Sequence, residues 1–248
     1  MRRILLVFAS LALPALAAAS EVGCPARVVT PSAVATFYEP SGEGACSLPT
    51  SSGEPVVAIA SADYAGSEMC GRCLRVTGPE ATIDVRVVDE CPTCASGQLD
   101  LRGAATFDLI ANPIDGIVPI SWETIACDVG AETMAMQFEG SNPYYLKAQV
   151  QNHRHGIAAV EVETGPSWLA MSRTIDDHFE IVSGTAFPAS VGFRITDVHG
   201  QIVETQRVGV VNDLPEDTGV QLAQCPEPES TLASVVALGA VAALLRRR

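Results

Sequence analysis

The chain has 248 residues, 48% of them hydrophobic, 18% charged and 5% aromatic. That balance excludes a disordered chain and leaves room for one large or two small domains. The formal charge is −14, and residues 21–224 carry ten Lys or Arg against 27 Asp or Glu; such a surface repels nucleic acid and anionic membranes, so neutral partners are favoured.

In Met1–Ala19 two arginines precede the apolar run Ile4–Leu16 and a group of small residues, the pattern of a cleavable secretory signal. An N-terminal membrane anchor is the alternative, but the run is short and no stop-transfer pattern follows. Eight cysteines follow: Cys24, Cys46, Cys70, Cys73, Cys91, Cys94, Cys127 and Cys225. By spacing, Cys70-Gly-Arg-Cys73 and Cys91-Pro-Thr-Cys94 would suit a zinc ribbon. In an exported chain with an even cysteine count, disulfides are favoured over zinc. Six cysteines fall between Cys46 and Cys127, so one tied domain precedes an untied one.

The tied half, taken as 24–128, reads as strands at 34–38, 56–60, 74–77, 81–89 and 117–127, each rich in β-branched residues. Ile83-Asp84-Val85-Arg86-Val87 alternates as a half-buried strand should. One helix is predicted at about 102–111, where Ala105, Leu109 and Ile110 share a face and Asn112-Pro113 supplies a stop. Two carboxylates end apolar runs, Asp89 and Asp100. Singly, each reads as a solvated turn or cap residue. Together they mean more, because the Cys91–Cys94 segment between them would bring both acids to one surface, and paired carboxylates are what glycoside hydrolysis uses. Asp84, Glu90 and Asp108 read as solvated surface.

From 132 to 221 short alternating strands separated by Gly, Pro and Asn turns suggest an antiparallel β-sandwich. Gly140-Ser-Asn-Pro-Tyr144-Tyr145 places two tyrosines where a turn enters a strand. Exposed rings there would stack on sugar faces; period-two alternation would instead send one of them into the core. His153 and His155 lie two apart, but no third ligand is near, and no metal or cofactor is assigned.

The ending Pro226-Glu227-Pro228, apolar 231–245 and Arg246–Arg248 resembles the PEP-CTERM sorting signal cleaved by an exosortase, with Cys225 as a departure and a tail anchor as the alternative. Fifteen residues make a helix of about 22 Å, short for a bilayer.

Several phrases, in order, resemble bacterial expansins: Ala35-Thr-Phe-Tyr38, Cys70-Gly-Arg-Cys73-Leu-Arg-Val-Thr-Gly-Pro79, Val87-Val-Asp-Glu-Cys-Pro-Thr-Cys94, Gly97-Gln-Leu-Asp-Leu101, Ile120-Ser-Trp122 and Asn142-Pro-Tyr-Tyr-Leu-Lys-Ala-Gln-Val-Gln-Asn-His153. The resemblance implies an all-β chain: a six-stranded double-psi β-barrel with a short helix, then an immunoglobulin-like β-sandwich that binds cellulose. Thr36, Asp89 and Asp100 would line a polar groove, and Tyr144 and Tyr145 would form the sandwich's aromatic strip. By the same resemblance Cys46 with Cys70 and Cys73 with Cys127 would be bridges, Cys91 with Cys94 being the simplest remaining pair and Cys24 with Cys225 left open. Two departures stand out: Asp176 occupies the place of a third aromatic, and Cys91 that of a groove tyrosine in some relatives. The implied function is a secreted or cell-surface monomer that binds cell-wall polysaccharide and loosens it without cutting, with Asp100 as the retained acid. The rivals are a lytic glycosidase or peptidoglycan-cleaving barrel, which needs a second placed carboxylate, and an adhesin of the exopolysaccharide matrix.

Overall fold

In the first half, strands that alternate between apolar and polar residues close on themselves, because a sheet with one apolar face buries it most completely as a barrel. The computed structural model describes residues 28–39 and 42–225; the secretory signal, Cys24 and the C-terminal sorting segment lie outside them. The barrel is built from β1 (Val29–Tyr38), β2 (Val56–Ala60), β3 (Cys73–Thr77), β4 (Thr82–Cys91), β5 (Leu99–Arg102) and β6 (Val118–Ile125). They close in the order β1-β5-β2-β4-β3-β6. β1 runs parallel to β5 and β2 parallel to β4, while the remaining pairs are antiparallel. β2, Val-Val-Ala-Ile-Ala, is buried at every position, as its all-apolar sequence requires of a strand covered on both faces. Leu74, Val76, Val85, Val87, Leu99, Leu101 and Phe107 fill the interior.

The helix predicted at 102–111 is a single turn, α2 (Ala104–Phe107). Arg102 ends β5, which is hydrogen-bonded to both β1 and β2, and Gly103 leaves the strand at φ 78°. Pairing on two sides outweighs the helical pattern of so short a segment. A second turn, α1 (Ser61–Tyr64), is likewise too short for periodicity to reveal.

The second half is a sandwich of β7 (Ala135–Phe138), β8 (Tyr145–Gln151), β9 (Ile157–Thr164), β10 (Ser167–Ala170), β11 (Ser172–Arg173), β12 (Phe179–Val182), β13 (Ser190–Val191), β14 (Phe193–Asp197), β15 (Ile202–Glu204), β16 (Val208–Gly209) and β17 (Pro215–Asp217). One sheet runs β10-β9-β14-β15, the other β11-β12-β8-β7-β17, and β13 pairs with β16. Met136, Phe138, Leu146, Ala148, Val150, Val162, Phe179, Phe193 and Ile195 pack between the sheets. Along β8 the alternation sends Leu146, Ala148 and Val150 inward, leaving Tyr145, Lys147, Gln149 and Gln151 on the other face.

Disulfides join Cys46 to Cys70, Cys73 to Cys127 and Cys91 to Cys94, spanning 24, 54 and 3 residues. Cys225 is also disulfide-bonded, and the pairing considered for it with Cys24 lies outside the described residues.

The two domains meet through polar groups. Tyr64 Oη donates to Ile175 O at 2.7 Å, Ser67 Oγ to Thr174 O at 2.7 Å, and Gln149 Nε2 to Cys46 O at 2.8 Å. At Gly71 (φ 70°) an added Cβ would sit 2.4 Å from His153 Nε2, so only glycine lets the barrel backbone approach that ring. Inside the β11–β12 turn, Arg173 and Asp177 form an ion pair of 2.8 Å with both side chains nearly buried, and Arg173 also donates to Ile157 O.

Two outcomes follow. Asp177→Asn keeps a residue that tolerates the positive φ of 62° at this position but strands Arg173 without its counter-charge; denaturant unfolding should register a loss of about 3 kcal/mol. Burial holds the His153 imidazole down to about 4, below its ordinary 6.5. The folded state therefore prefers the neutral ring, and the stability it confers is complete above pH 6.5 and is lost as pH falls from there toward 4, by about 3 kcal/mol. His153→Gln should flatten that part of a stability-against-pH profile.

Candidate functional site

Strand register places the polar groups of the barrel. Thr36 on β1 lies opposite Asp100 on β5, Asp100 opposite Ala58 on β2, and Ala58 opposite Asp89 on β4. Four adjacent strands thus carry Thr36, Asp100, Ala58 and Asp89 in one row. A register shift between Val57 and Ala58 brings Asp89 into it, and the small side chain of Ala58 leaves room between the acids.

The two acids are held differently. Asp89 Oδ2 accepts from Tyr38 Oη at 3.0 Å, and its Oδ1 from the amides of Ala45 and Glu90 at 2.7 and 2.9 Å. Both its oxygens are engaged in holding β1 and the following loop, which Gly44 (φ 87°) brings close enough that a Cβ there would meet Val88 O at 2.6 Å. Asp100 Oδ1 accepts from Thr36 Oγ1 at 2.5 Å, and Thr36 in turn accepts from Gln98 Nε2 at 3.3 Å. Among the described residues no other hydrogen bond reaches the Asp100 carboxylate. Burial raises its pKa above the ordinary carboxyl value; the Thr36 hydrogen bond opposes the rise, and the charge of Asp89 adds to it. The sulfurs of the Cys91–Cys94 bridge and an Asp100 oxygen all lie within 4.8 Å of one another. Asp84 stays off the row, paired on the outside with Arg75 at 2.9 Å.

Two residues that carry this site were not singled out for it in the sequence. Asp63, in α1, accepts from Gly97 N at 2.5 Å and Ser96 Oγ at 2.9 Å, and Trp122 Nε1 donates to Gly97 O at 2.8 Å. Together they pin the turn that delivers Gln98 and Asp100. Their partners lie 34 and 25 positions away, so no local pattern marks them.

On the sandwich, neither tyrosine enters the core. Tyr144 is 55% exposed because it sits in the turn ahead of β8, where strand alternation does not apply, its amide capped by Asn142 Oδ1 at 2.9 Å. Tyr145 opens β8 and its hydroxyl donates to Glu180 Oε2 at 2.6 Å; that bond, with burial second, raises its pKa. Two residues along the same face, Lys147 Nζ lies between Glu139 (2.7 Å) and Asp176 (2.9 Å), and His178 is 3.3 Å from both carboxylates. Asp176 thus belongs to an ionic network beside Tyr145. The barrel row and the two tyrosines lie on different domains, connected through the 174–178 turn, which touches Tyr64 and Ser67 on one side and Lys147 on the other.

Side chains that cluster closely enough for a metal are otherwise engaged. Lys147 bridges Glu139 and Asp176 beside His178; Cys225, near His155 and His199, is in a disulfide; Cys91 and Cys94 bond each other. His153 Nδ1 is 2.8 Å from His155 O, and His155 Nε2 is 3.0 Å from Ala223 O.

No family model matches the chain. It is similar to Expansin-YoaJ of Bacillus subtilis, 32% identical over 160 residues covering 63% of this chain and 68% of that one. Expansin-like protein 2 of Dictyostelium discoideum is 27% identical over 215 residues, 80% of this chain and 51% of its own. Among solved structures, the apo expansin of Clavibacter michiganensis superposes with a TM-score of 0.72 at 29% identity, over 81% of this chain and all of its own. A mutant of that expansin, solved in complex with cellohexaose, gives the same TM-score at 28% identity. With a double-psi β-barrel and a β-sandwich in the same order, and a third of its residues shared over two thirds of the Bacillus relative, the chain belongs to the expansin family.

Proposed function

We propose that the chain is an exported protein that binds cell-wall glucan along the barrel row and through Tyr144 and Tyr145, and loosens the polymer without cutting it. The carrying observation is the contrast between the acids: Asp100 has a carboxylate oxygen available to a ligand, whereas Asp89 has both oxygens engaged by three donors. Glycoside hydrolysis needs a second group free to activate water or attack the sugar, and this row offers one acid only. A row of acceptors and donors without that partner can hold sugar hydroxyls, and bound rings displace polymer–polymer contacts. The cellohexaose bound by the Clavibacter relative supports a β-linked glucan as the ligand class. In this reading the mature protein acts as a monomer outside the cell, with its C-terminal segment processed by an exosortase.

One observation favours a lytic reading: the raised pKa of Asp100 is what a general acid requires. Soluble sugars released from cellulose, xylan or peptidoglycan by the parent and abolished by Asp100→Asn would establish it in place of loosening; the expected result is no release by either.

Sedimentation with insoluble cellulose, chitin and peptidoglycan tests the binding. Tyr144→Ala and Tyr145→Ala should each weaken retention on cellulose by up to about tenfold, the loss of one stacked ring. Asp100→Asn should cost about ten- to a hundredfold by removing a charged acceptor. Because the folded pKa of Asp100 is raised, its ionised form is present only above that raised value. Retention should therefore fall as pH drops through a midpoint higher than that of an ordinary carboxyl, and Asp100→Asn should lack this step.

A further inference from the structure

The bridge Cys91–Cys94 differs from the other two described in full. It spans three residues against 24 and 54, so it constrains the unfolded chain least and contributes least to stability by that route. Cys46 and Cys70 are buried, and Cys73 begins a strand paired on both sides. Cys94 instead is half-buried among the exposed residues Pro92, Thr93, Ala95 and Ser96. Its partner Cys91 ends β4, opposite Ala60. Both sulfurs lie within 4.8 Å of the Asp100 carboxylate that anchors the polar row.

We propose that Cys91–Cys94 is a thiol–disulfide exchange site for a dithiol, and that its redox state sets the hydrogen bonding of Asp100. A thiolate of the dithiol attacks Cys94 Sγ, the more accessible sulfur; the bond to Cys91 breaks, and Cys91 leaves as a thiolate and takes up a proton. The second thiol of the reagent then displaces Cys94, which is released as a thiol while the reagent becomes a disulfide. Two bridging sulfurs, which donate nothing, become two S–H donors beside a carboxylate. A thiol bonded to Asp100 occupies the acceptor a glucan hydroxyl would use, so reduction closes the groove; this last step rests on the glucan reading. The groups facing Asp100 are Thr36, which donates to it, and Asp89, whose charge opposes its ionisation. Near the pH at which a carboxyl titrates, thiols stay protonated and favour the ionised carboxylate, so reduction lowers the Asp100 midpoint.

The test uses the full exported chain with graded dithiothreitol as the dithiol. Alkylation and peptide mass spectrometry should find Cys91 and Cys94 modified at concentrations that leave Cys46, Cys70, Cys73 and Cys127 protected. The Asp100 carboxyl, followed by NMR, should titrate at lower pH after reduction and in a Cys91→Ser, Cys94→Ser variant, whose hydroxyls also donate. A Cys91→Ala, Cys94→Ala variant, which opens the same loop without donors, should not show that fall, and cellulose retention should drop about tenfold on reduction. Reduction of Cys91–Cys94 only together with the buried bridges, or an Asp100 midpoint that moves alike in the Ser and Ala variants, overturns the proposal. If the oxidised chain fails to bind cellulose while the exchange and the titration behave as stated, the glucan reading falls and the exchange site stands.

Discussion

The parallel pairing of β1 with β5 underlies the site. It sets Thr36 beside a carboxylate 64 residues later, with a hydrogen bond of 2.5 Å between them. Because β5 also pairs with β2, and β2 with β4, the same register extends across four strands and brings Asp89 into line. A single-residue slip at β5 would turn Asp100 to the opposite face of the sheet. The site is therefore a property of the barrel's closure. Its precision comes from backbone hydrogen bonds that are buried and hard to exchange.

Around that row the chain uses its other polar side chains as braces. Asp63 and Trp122 hold the turn before β5, while Asp89 holds the chain after β1, so the two ends of the groove are tied by carboxylates that are themselves used up. The same economy appears at the junction between domains. The 174–178 turn is fastened to the barrel by main-chain carbonyls and stiffened internally by the Arg173–Asp177 pair. That turn also supplies Asp176 to Lys147, so the surface beside Tyr145 is coupled to the domain contact through a few covalent bonds.

Much of this was legible in the sequence where the pattern is local. Period-two alternation in Ile83–Val87 and along β8 gave strands and their buried faces, and the order of the motifs pointed to the barrel and the sandwich. The helix predicted at 102–111 shrank to one turn because cross-strand pairing, which no window of sequence contains, claimed Arg102. The tyrosines escaped the alternation rule because the strand begins at Tyr145, one residue later than alternation through both would require. Asp63 was invisible for the same reason that Asp89 looked catalytic: a carboxylate's role depends on which donors reach it, and those donors come from distant segments.

The close approach at Gly71 bears on how such a protein can be rebuilt. A backbone stretch without a side chain lies against the His153 ring, with no room for even one methyl group. The barrel and the sandwich therefore carry matching halves of one surface, like a key and its ward. A sandwich grafted from another protein onto this barrel must bring a ring or similarly flat group to that spot, and a barrel with any other residue at position 71 would refuse this sandwich. The two domains are inherited as a pair.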